Sequence, residues 1–376
     1  MLKKILLIIL VTLSFYNYSQ VCKTRDVVVG KKGNITTDTI RAKIIHLIEK
    51  YNKEYFDENI DFSKYWTDKS LQEYNIPDNQ LRLELSRYQL PKYKYQLDII
   101  HLFKKEDYWI ARIGFNVFCN DTLFLGLSNI YDYGITFQNH KPKFFPIIQK
   151  YSFTEFSNKL FSIYTQNEIK LNKINTDSLE SYLKYLSDFF NFSLPKFKCY
   201  YFSENSKINE SLGFTIRQIN PYQTSECYDA RNNIIYILNY SNLKHELVHS
   251  FIVEKFGGNC HYWYNEGCAT FLAGSGDSNL NEHLAILSKH LAKHPEFNLN
   301  NVLDYGSLII EKETSYKYAV SGLICKLIYQ KYGTKGLCEL LNFGASDYDF
   351  YASIQSILGI KKENLNIFLR TEISKY

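Results

Sequence analysis

The spacing of apolar residues divides the chain into a short N-terminal part and a longer C-terminal part with different periods. Between Thr37 and Phe56, apolar side chains recur at helical spacing behind a cap at Thr37 or Asp38, which predicts an amphipathic helix. The apolar pattern then changes to a period of two residues in Tyr95–Phe103 and Tyr108–Phe118, which lie on either side of a charged turn. This alternation of aromatic and β-branched residues predicts a β-hairpin.

Two further runs, Thr122–Ile130 and Tyr133–Phe137, extend the pattern into an antiparallel meander. One helix followed by antiparallel strands predicts a small α+β domain over residues 25–145, in the element order of cystatin-like or NTF2-like folds. No catalytic combination of residues occurs in this part of the sequence, so we expect it to serve packing, substrate presentation or partner binding. Pro142 and Pro146 mark its end.

The second part of the chain, residues 150–376, is mostly helical in pattern and contains short β segments. Asp177 and Glu180 have the spacing of a helix capping box. The predicted elements that follow are strands at Phe197–Phe202 and Ile234–Leu238, and then helices at 241–257, Asn281–His294, Val320–Tyr332 and Lys362–Ile373. The whole chain is therefore expected to be α+β and to have two domains.

The first residues have the three-part pattern of a secretory signal peptide. Lys3 and Lys4 form a positive start, Ile5–Phe15 is largely apolar, and Ser19 is a small residue at a plausible cleavage point. The apolar run has about 11 residues, whereas a helix that spans a bilayer needs roughly 20. We therefore expect residues 1–19 to be removed and the protein to be exported to the periplasm, the cell surface or the medium. No stable membrane insertion is expected after this removal.

The composition is that of a globular protein and excludes one class of partner. Hydrophobic residues make up 45% of the chain and charged residues 22%, which suffices for a core. The formal charge is +5, and the leader supplies two of these charges, so a weakly basic mature chain gives no reason to expect nucleic acid as a partner. Eight cysteines without a C-x-x-C pair leave two possibilities open: disulfides, for example between Cys260 and Cys268, or buried free thiols.

The strongest chemical signal is His245-Glu246-Leu247-Val248-His249, within the helix predicted at 241–257. Two histidines at this spacing lie one helical turn from each other on the same face. Imidazoles in this arrangement bind one zinc ion, and the intervening glutamate lies beside the water molecule that attacks the substrate. A catalytic zinc site also requires a third protein ligand and an open position for water.

Glu266 fits the need for a third ligand, because it lies at the start of the next predicted helix, in a second motif that begins at Trp263. Sixteen residues separate it from His249. The metzincin pattern would place a histidine six residues after His249, but Lys255 occupies that position. His261 is a second candidate within reach, although we interpret it as a solvated loop residue. Three further histidines, on a polar helix face, are interpreted as surface residues: His283, His290 and His294.

The two motifs together resemble those of the gluzincins, the metallopeptidases whose third zinc ligand is a glutamate. His245-Glu246-x-x-His249 followed by Trp263-Tyr264-Asn265-Glu266-Gly267-x-Ala269 is similar to the peptidase MA-like group and to aminopeptidase N-like enzymes. The segment 318–333 resembles the helix that follows the site in the MA-like group. The resemblance covers roughly residues 150–376, and it implies a thermolysin-like or gluzincin catalytic domain with a mostly helical C-terminal part.

The resemblance implies that one Zn²⁺ per chain is bound by three side chains: His245, His249 and Glu266. It implies that Glu246 is the general base, which moves a proton from water to the leaving amine. In such enzymes zinc lowers the pKa of the attacking water towards ~7 and polarises the scissile carbonyl. The oxyanion needs a second donor, for which Tyr318 is the candidate and Tyr316 the second choice.

Two departures from the family patterns bear on specificity and on ligand orientation. Thermolysin-like enzymes have an aspartate four residues after the ligand glutamate, which orients a zinc-binding histidine, and this chain has Thr270 there. The Gly-x-Met-Glu-Asn segment with which aminopeptidase N relatives bind a free amine does not occur. We therefore expect an endopeptidase that acts on a peptide or protein. Two alternatives stay open: a non-catalytic binding or scaffold protein that retains the zinc domain, and a zinc hydrolase of a non-peptide amide.

Overall fold

The computed structural model describes residues 39–55, 59–86, 93–119, 123–166, 175–217, 226–306, 308–311 and 314–376. Within these ranges the chain is α+β, as the sequence predicts. The predicted signal peptide, residues 1–19, and the predicted helix caps Thr37 and Asp38 lie outside the described residues. None of the helices in the described ranges is long and apolar enough to cross a membrane.

The elements of the described residues are numbered in chain order. The α-helices are α1 (Thr39–Glu54), α2 (Asp68–Glu73), α3 (Asn79–Ser86), α4 (Thr176–Phe190), α5 (Asn205–Ser211), α6 (Tyr240–Phe256), α7 (Tyr262–Ala273), α8 (Leu280–Lys293), α9 (Tyr316–Leu341), α10 (Asp347–Leu358) and α11 (Leu365–Ile373). The strands are β1 (Tyr93–Lys104), β2 (Trp109–Cys119), β3 (Leu123–Gln138), β4 (Lys141–Phe145), β5 (Phe153–Ser157), β6 (Phe161–Gln166), β7 (Phe197–Tyr201), β8 (Phe214–Arg217), β9 (Cys227–Asp229), β10 (Ile234–Ile237), β11 (Ile309–Glu311) and β12 (Thr314–Ser315). Short 3₁₀ turns lie at Phe62–Lys64, Ile147–Lys150, Gly257–Asn259, Leu299–Tyr305 and Lys362–Asn364.

The chain divides into two compact units, and it crosses between them more than once. The first unit comprises Met1–Phe153 and Glu204–Ser225, and the second comprises Thr154–Ser203 and Glu226–Tyr376. The chain returns to the first unit at β8, which pairs antiparallel with β3. The sequence pattern places β8 in the second part of the chain, because the pairing of strands that are distant in sequence leaves no local signal.

In the first unit, antiparallel strands lie in the order β1-β2-β3-β4, with β8 also beside β3. Alternate residues of β2, including Ile113 and Phe115, are fully buried, and this is the physical reason for the period of two. The ring of Tyr51 in α1 packs against Tyr133 of β3 and Phe144 of β4, with centroids 6.2 and 5.2 Å away. The amphipathic helix therefore covers the apolar face of the sheet.

The predicted hairpin is confirmed, since β1 and β2 pair antiparallel with Lys104 opposite Trp109 at the turn. The two strands predicted at 122–130 and 133–137 are instead one continuous strand, β3. Asp132, in the middle of β3, stays in the strand because Arg112 of β2 binds both of its carboxylate oxygens at 2.8 Å. An isolated aspartate is unfavourable in a β-strand. A cross-strand ion pair with arginine stabilises it there.

In the second unit, a sheet in the order β5-β6-β7-β10-β9 is followed by the helices of the C-terminal part. β10 pairs parallel with β7 and antiparallel with β9, so β9 is the edge strand beside β10. Helix α4 packs against α6, with the rings of Phe190 and Phe251 stacked at 5.7 Å. The N-terminus of α4 is capped by Asn175 and not by the predicted Asp177, because the Asn175 side chain accepts the backbone N–H of Ser178 at 2.9 Å.

Helix α6, which contains the histidine motif, begins directly after β10. The predicted cap, Ser241, lies inside its first turn, and the N-cap residue is Asn239. The carboxylate of Glu226 replaces a side-chain cap: it accepts the backbone N–H groups of Leu238 and Asn239 and a hydrogen bond from Asn242. Negative charge at this position also suits the positive end of the helix dipole. Glu226 therefore fixes where the helix starts.

The cysteines of the described residues do not form disulfides. Cys199, Cys268 and Cys325 are buried free thiols, and Cys227, Cys260 and Cys338 are half-buried free thiols. The predicted alternative of a disulfide between Cys260 and Cys268 is therefore wrong. Both cysteines are free thiols, as the other alternative predicted. Cys22 and the side chain of Cys119 lie outside the described part of the chain.

Helices α7 and α9 approach each other closely at Gly267. A Cβ atom on Gly267 would lie 2.5 Å from the backbone carbon and the side-chain oxygen of Ser321 in α9. Glycine is therefore the residue that lets the two backbones meet. Helix α9 begins earlier than the predicted 320–332, at Tyr316, and its axis breaks at Gly333, directly after the predicted end, where φ is +63°.

We expect Gly267→Ala to destabilise the protein, because a backbone neighbour 2.5 Å from the new methyl group cannot move aside as a side chain can. Overpacking of this kind costs about 1–3 kcal/mol of unfolding free energy. Denaturant unfolding measures the change. Gly306→Ala is the matched control, since the nearest atom to its Cβ would be in the Trp263 ring, at 3.2 Å. An effect at Gly267 no larger than that at Gly306 would contradict the close contact between the backbones.

Candidate metal centre

The two histidines of the motif face one carboxylate oxygen from the neighbouring helix. His245 and His249 lie one turn apart on α6, with ring centroids 4.7 Å apart. The Nε2 atoms of both rings lie 3.5 Å from Oε2 of Glu266, which is on α7. The structure therefore brings together the three side chains that the sequence predicted as metal ligands.

A second carboxylate, that of Glu246, lies at the same place. Ligand atoms of His245, Glu246 and His249 all lie within 4.8 Å of one another, so these three could also hold a metal ion. Glu266 is the other candidate for the third ligand, because its Oε2 lies 3.5 Å from Nε2 of both imidazoles. Glu246 is buried, with only 8% of its surface exposed.

Both histidines are oriented by hydrogen bonds at their other ring nitrogen. Nδ1 of His245 lies 2.6 Å from the carbonyl oxygen of Gly274, and Nδ1 of His249 lies 2.9 Å from Oδ1 of Asn265. A carbonyl oxygen can only accept, so Nδ1 of His245 carries the proton, and the amide oxygen of Asn265 has the same effect on His249. With the proton on Nδ1, Nε2 of each ring is the nitrogen that can bind a metal ion placed between the imidazoles and Glu266.

The position that is occupied by an orienting aspartate in thermolysin-like enzymes has another role here. The hydroxyl of Thr270 donates to the backbone carbonyl of Glu266, one turn earlier in α7, at 2.8 Å. The acceptor for His245 is supplied by Gly274, which ends the same helix with φ +83°. Gly274 was not predictable, because a backbone acceptor has no residue signature, whereas Asn265, adjacent to Glu266, could have been found from the motif.

Lys317, in the first turn of α9, completes the surroundings of Glu266. Its Nζ donates to Oε1 of Glu266 at 2.9 Å, so the two oxygens of this carboxylate face different partners. Although burial opposes ionisation, Lys317 and the two histidines hold the pKa of Glu266 well below its usual range. Nothing in the local sequence indicates this lysine, which is far from the motif along the chain.

The other titratable groups of the centre respond to burial and to one another. Burial lowers the pKa of His249, but the hydrogen bond and charge of Glu266 outweigh it and raise this pKa to about 9. Burial raises the pKa of the Glu246 carboxyl, and the two histidines only partly offset this. A positive charge between the imidazoles and Glu266 is therefore favoured, whether a proton or a metal ion supplies it.

The arrangement fits a zinc ion by its donor set and by its spacing. Two imidazole nitrogens and one carboxylate oxygen are the ligands of glutamate-type catalytic zinc sites. Ligand atoms about 2.0–2.2 Å from a tetrahedral zinc ion are separated by about 3.3–3.6 Å. The two distances of 3.5 Å between Glu266 and the histidines fall in this range. Three protein ligands leave one coordination position for water or substrate.

Tyr318 lies near the site and Tyr316 does not. The ring of Tyr318 is 6.3 Å from that of His245 between centroids, and its backbone N–H is held by Ser315 at the start of α9. Tyr316 is fully buried, with its ring 5.3 Å from that of Tyr305. Residues two positions apart on a helix point about 200° apart, so only one of this pair can face the histidines.

His261 is not the solvated loop residue that the sequence suggested. It is fully buried and caps α7, because its Nδ1 accepts the backbone N–H of Trp263 at 3.3 Å. Its Nε2 lies 3.2 Å from Oδ1 of Asp347. Burial lowers its pKa, and Asp347 opposes this. His261 is thus a structural residue at the start of the helix that carries Glu266.

His283 was also wrongly interpreted as a surface residue. It is fully buried, and its Nε2 contacts the carbonyl oxygen of Ser275 at 3.2 Å. Ser275 follows Gly274, so His283 supports the turn that provides the acceptor for His245. The polarity of a helix face does not reveal whether other segments enclose it. His290 and His294, from the same group, are half-buried and lie apart from the centre.

No protein-family model and no curated protein matches the sequence. Among solved structures, a mutant of the M1 zinc metallopeptidase from Deinococcus radiodurans, crystallised with the substrate Tyr-Ser-Ala, is similar with 12% sequence identity and a TM-score of 0.35. The match covers 75% of this chain and 63% of the length of that protein.

We expect Asn265→Ala to weaken metal binding by about 10- to 100-fold, because His249 loses the acceptor that orients its ring. Asn265→Asp keeps an acceptor oxygen and should retain most of the affinity. Competition with a chromophoric chelator measures the dissociation constants. Thr270→Val is the control, since the hydroxyl of Thr270 donates to the backbone of its own helix and to neither histidine. A larger loss at Thr270 than at Asn265 would contradict this assignment.

Proposed function

We propose that the protein is a zinc-dependent metallopeptidase that hydrolyses peptide bonds. The observation that carries this proposal is the convergence of Nε2 of His245 and Nε2 of His249 on Oε2 of Glu266, each at 3.5 Å, with the carboxyl group of Glu246 beside them. One Zn²⁺ per chain fits this set of ligands, and Glu246 remains available for proton transfer.

Zinc, when bound, supplies Lewis acidity that polarises a carbonyl group and lowers the pKa of water. The residues of the chain would do the rest. Glu246 takes a proton from the attacking water and delivers it to the leaving amine, and its buried position, which raises its pKa, suits a group that must hold a proton between these events. Tyr318, beside His245, is the proposed donor to the oxyanion.

The proposed substrate is a peptide or protein, cleaved within the chain. The sequence has no Gly-x-Met-Glu-Asn segment to bind a free amino terminus, and this supports an endopeptidase over an aminopeptidase. The proposal does not include nucleic acid, because the charge left after removal of the leader is small.

The proposed location is outside the cytoplasm, in the periplasm, on the surface or in the medium. The signal-peptide pattern of residues 1–19, with its positive, apolar and small-residue regions, supports this location. The support comes from the sequence, since these residues lie outside the described structure.

We expect Glu246→Gln to lower the hydrolysis of a mixed peptide library by about 10²- to 10⁴-fold, because the amide cannot accept the proton of the attacking water. Zinc content, measured by elemental analysis, should stay near one per chain in both forms, because Glu246 is not the proposed third ligand. Glu254→Gln is the matched control, since Glu254 is exposed on the same helix and contacts Tyr228; its activity should equal that of the wild type.

The result also separates the alternatives. Zinc-free wild-type protein, purified without chelators, would refute the metal centre. Zinc-loaded wild type that cleaves no peptide would support the non-catalytic binding protein, or a hydrolase of a non-peptide amide if it cleaves such a compound. Activity retained in Glu246→Gln would remove Glu246 from the role of base.

We expect the mature protein, isolated from the cells that make it, to lack residues 1–19. N-terminal sequencing and cell fractionation measure this. Ile8→Arg places a charge in the apolar region and should leave an uncleaved protein in the cytoplasm, because a charged residue disrupts the apolar region that export requires. Val28→Arg, beyond the leader, should be processed normally. An intact N-terminus in the wild-type protein would contradict export by this leader.

A further inference from the structure

We propose that Lys317 is a positioning residue that holds Glu266 as a monodentate metal ligand. The inference rests on the proposed function, because it assigns a role around the same metal. The carboxylate of Glu266 has two oxygens with separate partners: Oε2 lies 3.5 Å from each histidine Nε2, and Oε1 lies 2.9 Å from Nζ of Lys317. With Oε1 bonded to the ammonium group, Oε2 is the oxygen left for the metal.

The position of the ammonium group is itself constrained. The Lys317 side chain is 18% exposed, and its Nζ lies 5.0 Å from the centroid of the Tyr318 ring. Its backbone carbonyl accepts a hydrogen bond from the hydroxyl of Ser321, one turn later in α9. Ser321 is the residue that touches Gly267, which follows Glu266 directly. The contact between the helices therefore fixes Lys317 and Glu266 relative to each other.

Two opposite effects of Lys317 on metal binding follow from its charge and from its geometry. An ammonium group repels a divalent cation, and this alone would weaken binding. The same group orients the ligand, because it holds Oε1 of Glu266. It thereby prevents Glu266 from binding the metal through both oxygens, or through Oε1 instead of Oε2. We infer that orientation prevails, because the hydrogen bond occupies Oε1 directly while the Glu266 carboxylate lies between the ammonium group and both imidazoles.

A monodentate Glu266 has a consequence for the reaction. A carboxylate that binds through one oxygen leaves a fourth position for water or the substrate carbonyl, whereas a bidentate carboxylate would crowd that position. Lys317 thus keeps the site open. It acts through Glu266 and is not a catalytic residue, since it is bonded to the ligand and not placed to contact the reacting atoms.

The test is metal affinity in Lys317→Met, measured by chelator competition with Zn²⁺. We expect the dissociation constant to rise by about 10- to 100-fold, as for other groups that orient metal ligands. Lys317→Arg, which keeps a charged donor, should restore most of the affinity. Lys326→Met is the matched control: it removes the same charge from the same helix, where Lys326 contacts Asn281 and Tyr376 and not the centre.

A second readout is the visible spectrum of the Co²⁺-substituted protein. Four-coordinate Co²⁺ absorbs more strongly than five-coordinate Co²⁺, so we expect Lys317→Met to weaken the bands as Oε1 of Glu266 becomes free to bind. A general loss of structure would lower the unfolding temperature of the metal-free protein without this spectral change. If Lys317→Met does not fold, Lys317→Leu, which also lacks a hydrogen-bond donor, is measured in the same way and should also lose affinity.

The outcomes distinguish this inference from the proposed function. Wild-type protein that binds neither Zn²⁺ nor Co²⁺ would refute the metal centre itself. Wild-type protein that binds metal, together with an unchanged or tighter dissociation constant or an unchanged spectrum in Lys317→Met, would overturn the role of Lys317 alone.

Discussion

A half-buried carboxylate that faces two imidazole nitrogens is the arrangement on which the candidate metal centre depends. Glu266 is attached to α7 and the two histidines to α6, so the site exists only while these helices keep their separation. Taking such groups out of water is unfavourable unless a positive charge compensates the carboxylate. Lys317 supplies part of that charge from one side, and the space between Oε2 and the imidazoles is where a metal ion or a proton supplies the rest.

The packing of the second unit can be understood as support for this arrangement. Glu226 sets the start of α6, His261 caps α7, and Gly267 allows α9 to approach α7 closely enough for Lys317 to reach Glu266. Most of these contacts join residues from different helices or loops. The precision of the centre therefore comes from tertiary contacts around it and not from the histidine motif alone.

Much of the site could be predicted from the sequence because its key residues are local in the chain. The spacing of His245 and His249 is a helix property, and Glu266 belongs to a recognisable motif close by. The partners of these ligands were not predictable, because Lys317 comes from a distant helix and Gly274 contributes only a backbone oxygen. Hydrophobic periodicity found the long strands β1 to β3 and most of the long helices, but it missed most of the short strands, the pairing of β8 with β3 and the enclosure of polar residues such as His283.

The acceptor at Gly274 has a consequence for how the site tolerates sequence change. A side-chain acceptor disappears when its residue is replaced, but a main-chain carbonyl is present whatever residue occupies the position. Its placement depends instead on the turn, where φ is +83° and a Cβ would lie 2.5 Å from the carbonyl oxygen of Ser278. The orientation of His245 therefore depends on the glycine at this turn and not on a carboxylate in α7.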